Sequence, residues 1–115
     1  APRGTARLMK FEVTDSFLAD FKKLKREHRA AFKEVVRHKF APACDAWAVA
    51  HSELVAYVWP KSLRVDELRG TSGLMEMTWS FASPDGRAKF QLVREGDDWI
   101  CRWRRIGDHG VYEAP

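Results

Sequence analysis

The sequence predicts an α+β fold: an N-terminal strand, two helices, and then a three-stranded antiparallel meander. Three patterns predict it. Residues 8–13 alternate apolar and polar side chains, as a half-buried strand does. Residues 17–40 carry apolar side chains at helical spacing. Residues 74–106 return to a period of two, broken by two turn signals. Strand first, helices next and strands last places the helices as a layer over the sheet.

Each element has a local reason. Leu8-Met9-Lys10-Phe11-Glu12-Val13 supplies the first strand. Thr14-Asp15-Ser16 is a helix start, with Asp15 a suitable N-cap. Phe17, Leu18, Phe21 and Leu24 then share one helical face, and Ala31, Phe32, Val35, Val36 and Phe40 share a second. Lys25-Arg26-Glu27-His28-Arg29 lies between the two sets. One helix of about two dozen residues would be long against a mean of about 11–12, so a helical hairpin broken near Lys25 is the better reading. Ala41 to Pro60 is ambiguous: its alanines favour extending the helix, whereas Pro42 argues for a break.

The β half is clearer. Met75, Met77, Trp79 and Phe81 point one way, and Glu76, Thr78 and Ser80 the other. Ser83-Pro84-Asp85-Gly86 is a hairpin turn, after which Ala88, Phe90 and Leu92 alternate with Arg87, Lys89 and Gln91. Glu95-Gly96-Asp97-Asp98 is a second turn, and residues 99–106 form the last strand. There, alternation groups Trp99, Cys101, Trp103 and Arg105 on one face, and Ile100, Arg102, Arg104 and Ile106 on the other. Residues 9–115 read as a single domain, with 1–8 a loose tail or expression remnant.

Composition narrows the function. Hydrophobic residues make up 45% and charged residues 31% of 115, which suits a folded core and not a disordered chain. The formal net charge is +4. From Trp59 onward nine Lys/Arg balance nine Asp/Glu, so any phosphate site there needs arginines gathered on one face. Two cysteines without pairing spacing, and no long apolar run, fit a reduced, cytoplasmic protein with no membrane contact. No CxxC, HExxH, GxGxxG or Walker loop is present, so no metal or cofactor is expected. Cys101, within a strand, reads as a small core residue.

The residue types that remain suit RNA chemistry. The sheet face away from the helices gathers Arg87, Lys89, Arg102 and Arg104, with Arg105 ambiguous. Guanidinium groups bind phosphate bidentately, and several cations on one face can hold several phosphates. The alternative is an ordinary solvated face with cross-strand pairs to Glu76 or Asp98. His109 is the histidine beside this cluster, bracketed by Gly107 and Gly110. Nearby arginines would disfavour its imidazolium and keep it able to accept a proton near neutral pH. Tyr112 either stacks on a base or plugs the core edge.

Several segments, taken in order, carry a resemblance. They are Trp59-Pro60-Lys61-Ser62-Leu63-Arg64-Val65, Leu68-Arg69-Gly70, Gly73-Leu74-Met75-Glu76-Met77-Thr78-Trp79, Asp85-Gly86-Arg87-Ala88 and Trp103-Arg104-Arg105-Ile106-Gly107-Asp108-His109-Gly110-Val111-Tyr112. Together they resemble the RelE/ParE toxin superfamily of bacterial type II toxin–antitoxin systems, and within it the RelE/HigB-like members. The likeness spans roughly residues 9–115. It implies a RelE-like sheet, akin to a small microbial ribonuclease, with helices on one face. It also implies a metal-independent endoribonuclease (an mRNA interferase) that cuts mRNA in the ribosomal 70S A site, and a cognate antitoxin as partner.

The resemblance further implies roles for residues. Arg87 would contact the scissile phosphate, helped by Arg104 or Arg102, and His109 and Tyr112 would occupy the C-terminal catalytic positions. Arg69, Lys61, Lys89, Arg102 and Arg105 would bind RNA. Where some members place a glutamate base or a lysine cluster, this chain offers Glu76, Asp66 and Lys89. ParE-like relatives share the fold and inhibit DNA gyrase instead, and a plain RNA-binding module is a third reading.

Overall fold

The computed structural model describes residues 9–68, 73–80 and 85–107. Among the described residues, five strands form one mixed sheet in the order β1-β5-β4-β3-β2. β1 is Lys10–Val13, β2 Asp66–Glu67, β3 Leu74–Ser80, β4 Gly86–Glu95 and β5 Asp98–Gly107. β1 runs parallel to β5, and every other pair is antiparallel. The expected meander is β3-β4-β5. The two-residue β2 at its edge is an addition, too short to show any alternation.

Helix α1, Asp15–Lys23, begins one residue earlier in its capping than expected. Thr14, not Asp15, is the N-cap: its Oγ1 accepts from Phe17 N at 3.1 Å. The same hydroxyl donates to the Arg104 carbonyl at 3.0 Å, and Thr14 N donates to the Trp103 carbonyl at 3.1 Å. Thr14 therefore ends β1, starts α1 and ties both to β5. Asp15 sits in the first turn, where its charge favours the helix dipole.

The expected break near Lys25 is present. Leu24 and Lys25 are extended, and α2 spans Arg26–Val35. Beyond it the break at Pro42 does not occur. A π-helical turn over Val36–Phe40 carries the chain straight into α3, Ala41–Ser52. Ala41 N–H bonds to the Val36 carbonyl, five residues back. The wider turn absorbs the residue that lacks an N–H, so the proline sits near the start of a new helical segment, where it is tolerated.

The helices cover one sheet face. Phe17, Phe32, Phe40, Ala43 and Cys44 pack on Met77, Trp79, Ala88, Phe90, Cys101, Trp103 and Ile106. Phe40 lies at the centre, 4.8 Å from the Trp103 ring and 4.9 Å from Phe90. Cys44 and Cys101 are buried free thiols in this layer. Phe81 lies outside the described residues.

One strand departs from simple alternation. A bulge shifts the β4–β5 register so that Phe90 opposes Trp103 while Lys89 opposes Arg105. Arg104 is the extra residue. Alternation grouped Ile106 with the polar face and Arg105 with the core face; the bulge reverses both. Ile106 opposes Ala88 and is buried in the core, and Arg105 leaves it.

Candidate functional site

The sheet face turned away from the helices is where the charged residues collect. β3 contributes Glu76 and Thr78, β4 contributes Arg87, Lys89 and Gln91, and β5 contributes Arg102, Arg104 and Arg105. The ladders set three rows across the sheet. Thr78 opposes Arg87; Glu76 opposes Lys89, which opposes Arg105; Gln91 opposes Arg102, which opposes Glu12 of β1.

Contrary to an ordinary solvated face, its centre is closed to water. Glu76, Thr78 and Lys89 are only 3%, 1% and 2% exposed. Charged side chains are almost never buried this fully unless they are paired. Arg87 Nη1 donates to Glu76 Oε1 at 2.8 Å, and Nη2 donates to Asp85 Oδ2 at 3.3 Å. The second Glu76 oxygen, Oε2, and the Thr78 hydroxyl are buried with no hydrogen-bond partner among the described residues. Burial pulls the Lys89 ammonium below the ordinary lysine range; the Glu76 charge opposes that shift and the Arg105 charge adds to it.

Around this centre the remaining arginines are held by protein partners. Arg102 bonds to Glu12, with Glu95 at 3.3 Å. Arg104 Nη1 donates to Gln91 Oε1 at 2.8 Å. Arg105 grips Asp20 of α1 bidentately, at 2.6 and 3.0 Å. Asp20 also accepts the Ile106 N–H at 3.2 Å, beyond the point where β1 stops pairing with β5. Burial pushes the Asp20 carboxyl up, but the Arg105 and Ile106 hydrogen bonds with the Arg105 charge outweigh it and hold it below the usual carboxylate range.

The structure thus brings Arg87, Lys89, Arg102, Arg104 and Arg105 onto one face. Lys61 stands elsewhere, in the 3-10 turn Lys61–Leu63 before β2. Arg69, His109 and Tyr112 lie outside the described residues. The sequence did not disclose Asp20, Glu12 or Gln91 as partners. Glu12 becomes one through the parallel β1–β5 pairing and Asp20 through the α1 packing, and neither leaves a local signal.

No protein-family model matches this sequence, and no curated protein matches it. Similarity does appear at the level of structure. A chain of the crystal structure of the intact E. coli RelBE toxin–antitoxin complex superposes with a TM-score of 0.50 at 15% identity, covering 87% of this chain and 95% of that one. The chain has a RelE-like fold. At this identity the likeness speaks for the architecture, and the RelE-like sheet with its helical layer is what the sequence motifs led one to expect. The charged β3–β4–β5 face is carried on that RelE-like frame. Among the described residues, no helix is long and apolar enough to cross a membrane.

Proposed function

We propose that this protein is the toxin of a toxin–antitoxin pair, an endoribonuclease that cuts mRNA at the ribosome and stops translation. One observation carries the reading: the buried cluster of Glu76, Lys89 and Arg87 on an RelE-like sheet face. Buried charge with unsatisfied acceptors costs stability, and such clusters concentrate where a chain keeps them for chemistry. The similar structure is that of a toxin–antitoxin complex, which supports the toxin role and an antitoxin partner for this chain.

The nucleophile is the RNA's own 2′-hydroxyl. Its oxygen attacks the adjacent phosphorus as a base removes its proton. The bond from phosphorus to the 5′-oxygen breaks, and an acid protonates that oxygen. The products are a 2′,3′-cyclic phosphate and a 5′-hydroxyl. Arg87 stabilises the charge that builds on the phosphoryl oxygens, and Arg104 and Arg102 assist it. Phosphate must displace Glu76 or Asp85 from Arg87 to do so. A carboxylate released beside the phosphate is then placed to take a proton, which makes Glu76 the preferred base among Glu76, Asp66 and Lys89. His109 serves the leaving oxygen, and Tyr112 orients or stacks the nucleotide. Arg69, Lys89 and Arg105 belong to the RNA-binding surface, Lys89 and Arg105 chiefly by setting the field around Arg87.

Induced expression tests this reading. Growth should stop, with new 5′ ends inside translated messages and plasmid supercoiling unchanged. Altered supercoiling with intact messages would instead support the gyrase-inhibiting alternative. Growth arrest without either effect would leave only an RNA-binding module.

A further inference from the structure

Beyond the sheet face, the chain builds a second surface with the same chemical vocabulary. After α3 the backbone turns through Leu54, at φ 57°, and then runs without regular structure until the 3-10 turn at Lys61. An open groove of about 500 Å³ follows this path, lined among others by Tyr57, Trp59, Pro60, Lys61, Arg64 and Asp66. Its aromatic wall is anchored: Trp59 stacks on Phe40 with the planes 10° apart, and Tyr57 meets Trp59 edge-on at 5.2 Å.

The cations here differ from those on the sheet. Arg87, Arg102, Arg104 and Arg105 are each engaged by a carboxylate or an amide. Lys61 and Arg64 are exposed, and their side chains have no ion-pair partner among the described residues. Asp66 is the one carboxylate among the groove residues named, so their balance is positive. Arg64 also adopts φ 45° and ψ 56°. That left-handed conformation is costly for arginine and free for glycine. The strained position sets Arg64 in the lining of the groove.

The groove borders the edge of the sheet that carries the cluster. Asp66 opposes Glu76 in the β2–β3 ladder, and Glu76 holds Arg87. We propose that this groove is an additional RNA subsite, holding an unpaired nucleotide that flanks the cleaved linkage. The base lies along the Tyr57 and Trp59 wall, and the phosphates on its two sides bind Lys61 and Arg64. Aromatic stacking beside unpaired cations is the common way of gripping single strands without reading their sequence. The inference rests on the nuclease reading for its purpose, but not for its binding.

The test uses the full chain and a fluorescein-labelled uridine pentamer carrying one 5-iodouridine. Ultraviolet crosslinking should map to Tyr57 or Trp59. The double variant Lys61→Gln/Arg64→Asn, with asparagine suited to the left-handed position, should bind about tenfold more weakly. Its salt slope should fall by roughly 1.4, for two phosphate contacts on a single strand. Arg37→Gln, which removes an exposed charge from the π turn, should bind as wild type. Crosslinks confined to other residues, unchanged affinity in the double variant, or an equal loss in Arg37→Gln would each overturn the proposal. Growth arrest and message cleavage without groove crosslinks would refute the subsite and spare the nuclease. Groove crosslinks without cleavage would do the reverse.

Discussion

Arg87 on β4 directly opposes Thr78 on β3, yet its guanidinium reaches diagonally to Glu76, 2.8 Å away. Both side chains are well shielded, with Arg87 15% and Glu76 4% exposed. This diagonal pair is the hinge of the functional account. It keeps a strong phosphate binder in place while it is empty, and it holds a carboxylate where a proton must be taken.

Replacing Arg87 with alanine should lower RNA cleavage by about two orders of magnitude or more, the usual result of losing a preorganised charge donor. It also strands the Glu76 charge, at a cost of about 3–5 kcal/mol. Arg87→Lys is therefore the cleaner variant. It keeps the charge and loses the two-pronged grip, so it should remain folded by circular dichroism while its cleavage rate drops. Near-wild-type cleavage by Arg87→Lys would show that no bidentate contact to phosphate is made.

Lys89 gives the fold an alkaline signature. Its folded-state affinity for a proton is below that of an ordinary lysine because of burial. Between that lowered value and the ordinary lysine range, the unfolded chain binds more protons, so stability rises with pH. Tyr57, pushed up by burial and by Cys44, acts in the opposite sense from the ordinary tyrosine range upward. Urea midpoints from neutral to moderately alkaline pH should climb more steeply for wild type than for Lys89→Met. Parallel profiles would mean that Lys89 titrates normally.

Asp20 acts at the acid end. Its carboxyl is held below the usual range, so its contribution is complete above that range and disappears as pH falls through its own lowered value. Asp20→Asn should cost about 1.5–3 kcal/mol at neutral pH, the worth of hydrogen bonds to a charged group. It should also unfold with a shallower dependence on acid. Equal neutral and acid losses in urea titrations would argue that Asp20 serves only as packing.

Gly86 is required by its neighbour. A Cβ there would fall 2.4 Å from Trp79 Cε2, and the Trp79 ring is boxed in by His28 and Phe32. Gly86→Ala should destabilise by about 1–3 kcal/mol through overpacking and should disturb Arg87, the next residue. A melting temperature matching wild type would mean that the tryptophan moves freely.

Much of this was written in the sequence in a form that local rules can decode. The period of two placed Met77 and Trp79 inside and Glu76 and Thr78 outside, and the run from Lys25 to Arg29 marked the helical break. The bulge at Arg104 was not legible, because one extra residue leaves no local mark and is set by pairing with β4. The π turn was hidden because Pro42 looks like a terminator until the wider turn absorbs it. Lys89 looked like a surface cation; only the opposing Glu76 and the closed face make its burial intelligible. The sequence did place Arg87, Lys89, Arg102 and Arg104 on one face. It could not reveal that Asp20, Glu12 and Gln91 hold the arginines there.

The most direct test of the central claim is primer extension on a defined mRNA translated by purified ribosomes, with the wild-type protein and Arg87→Lys in parallel. Wild type should produce new 5′ ends within the translated frame, and Arg87→Lys should produce them at a clearly lower rate. Full-length message after incubation with folded wild-type protein, or equal cleavage by the two proteins, would contradict the account.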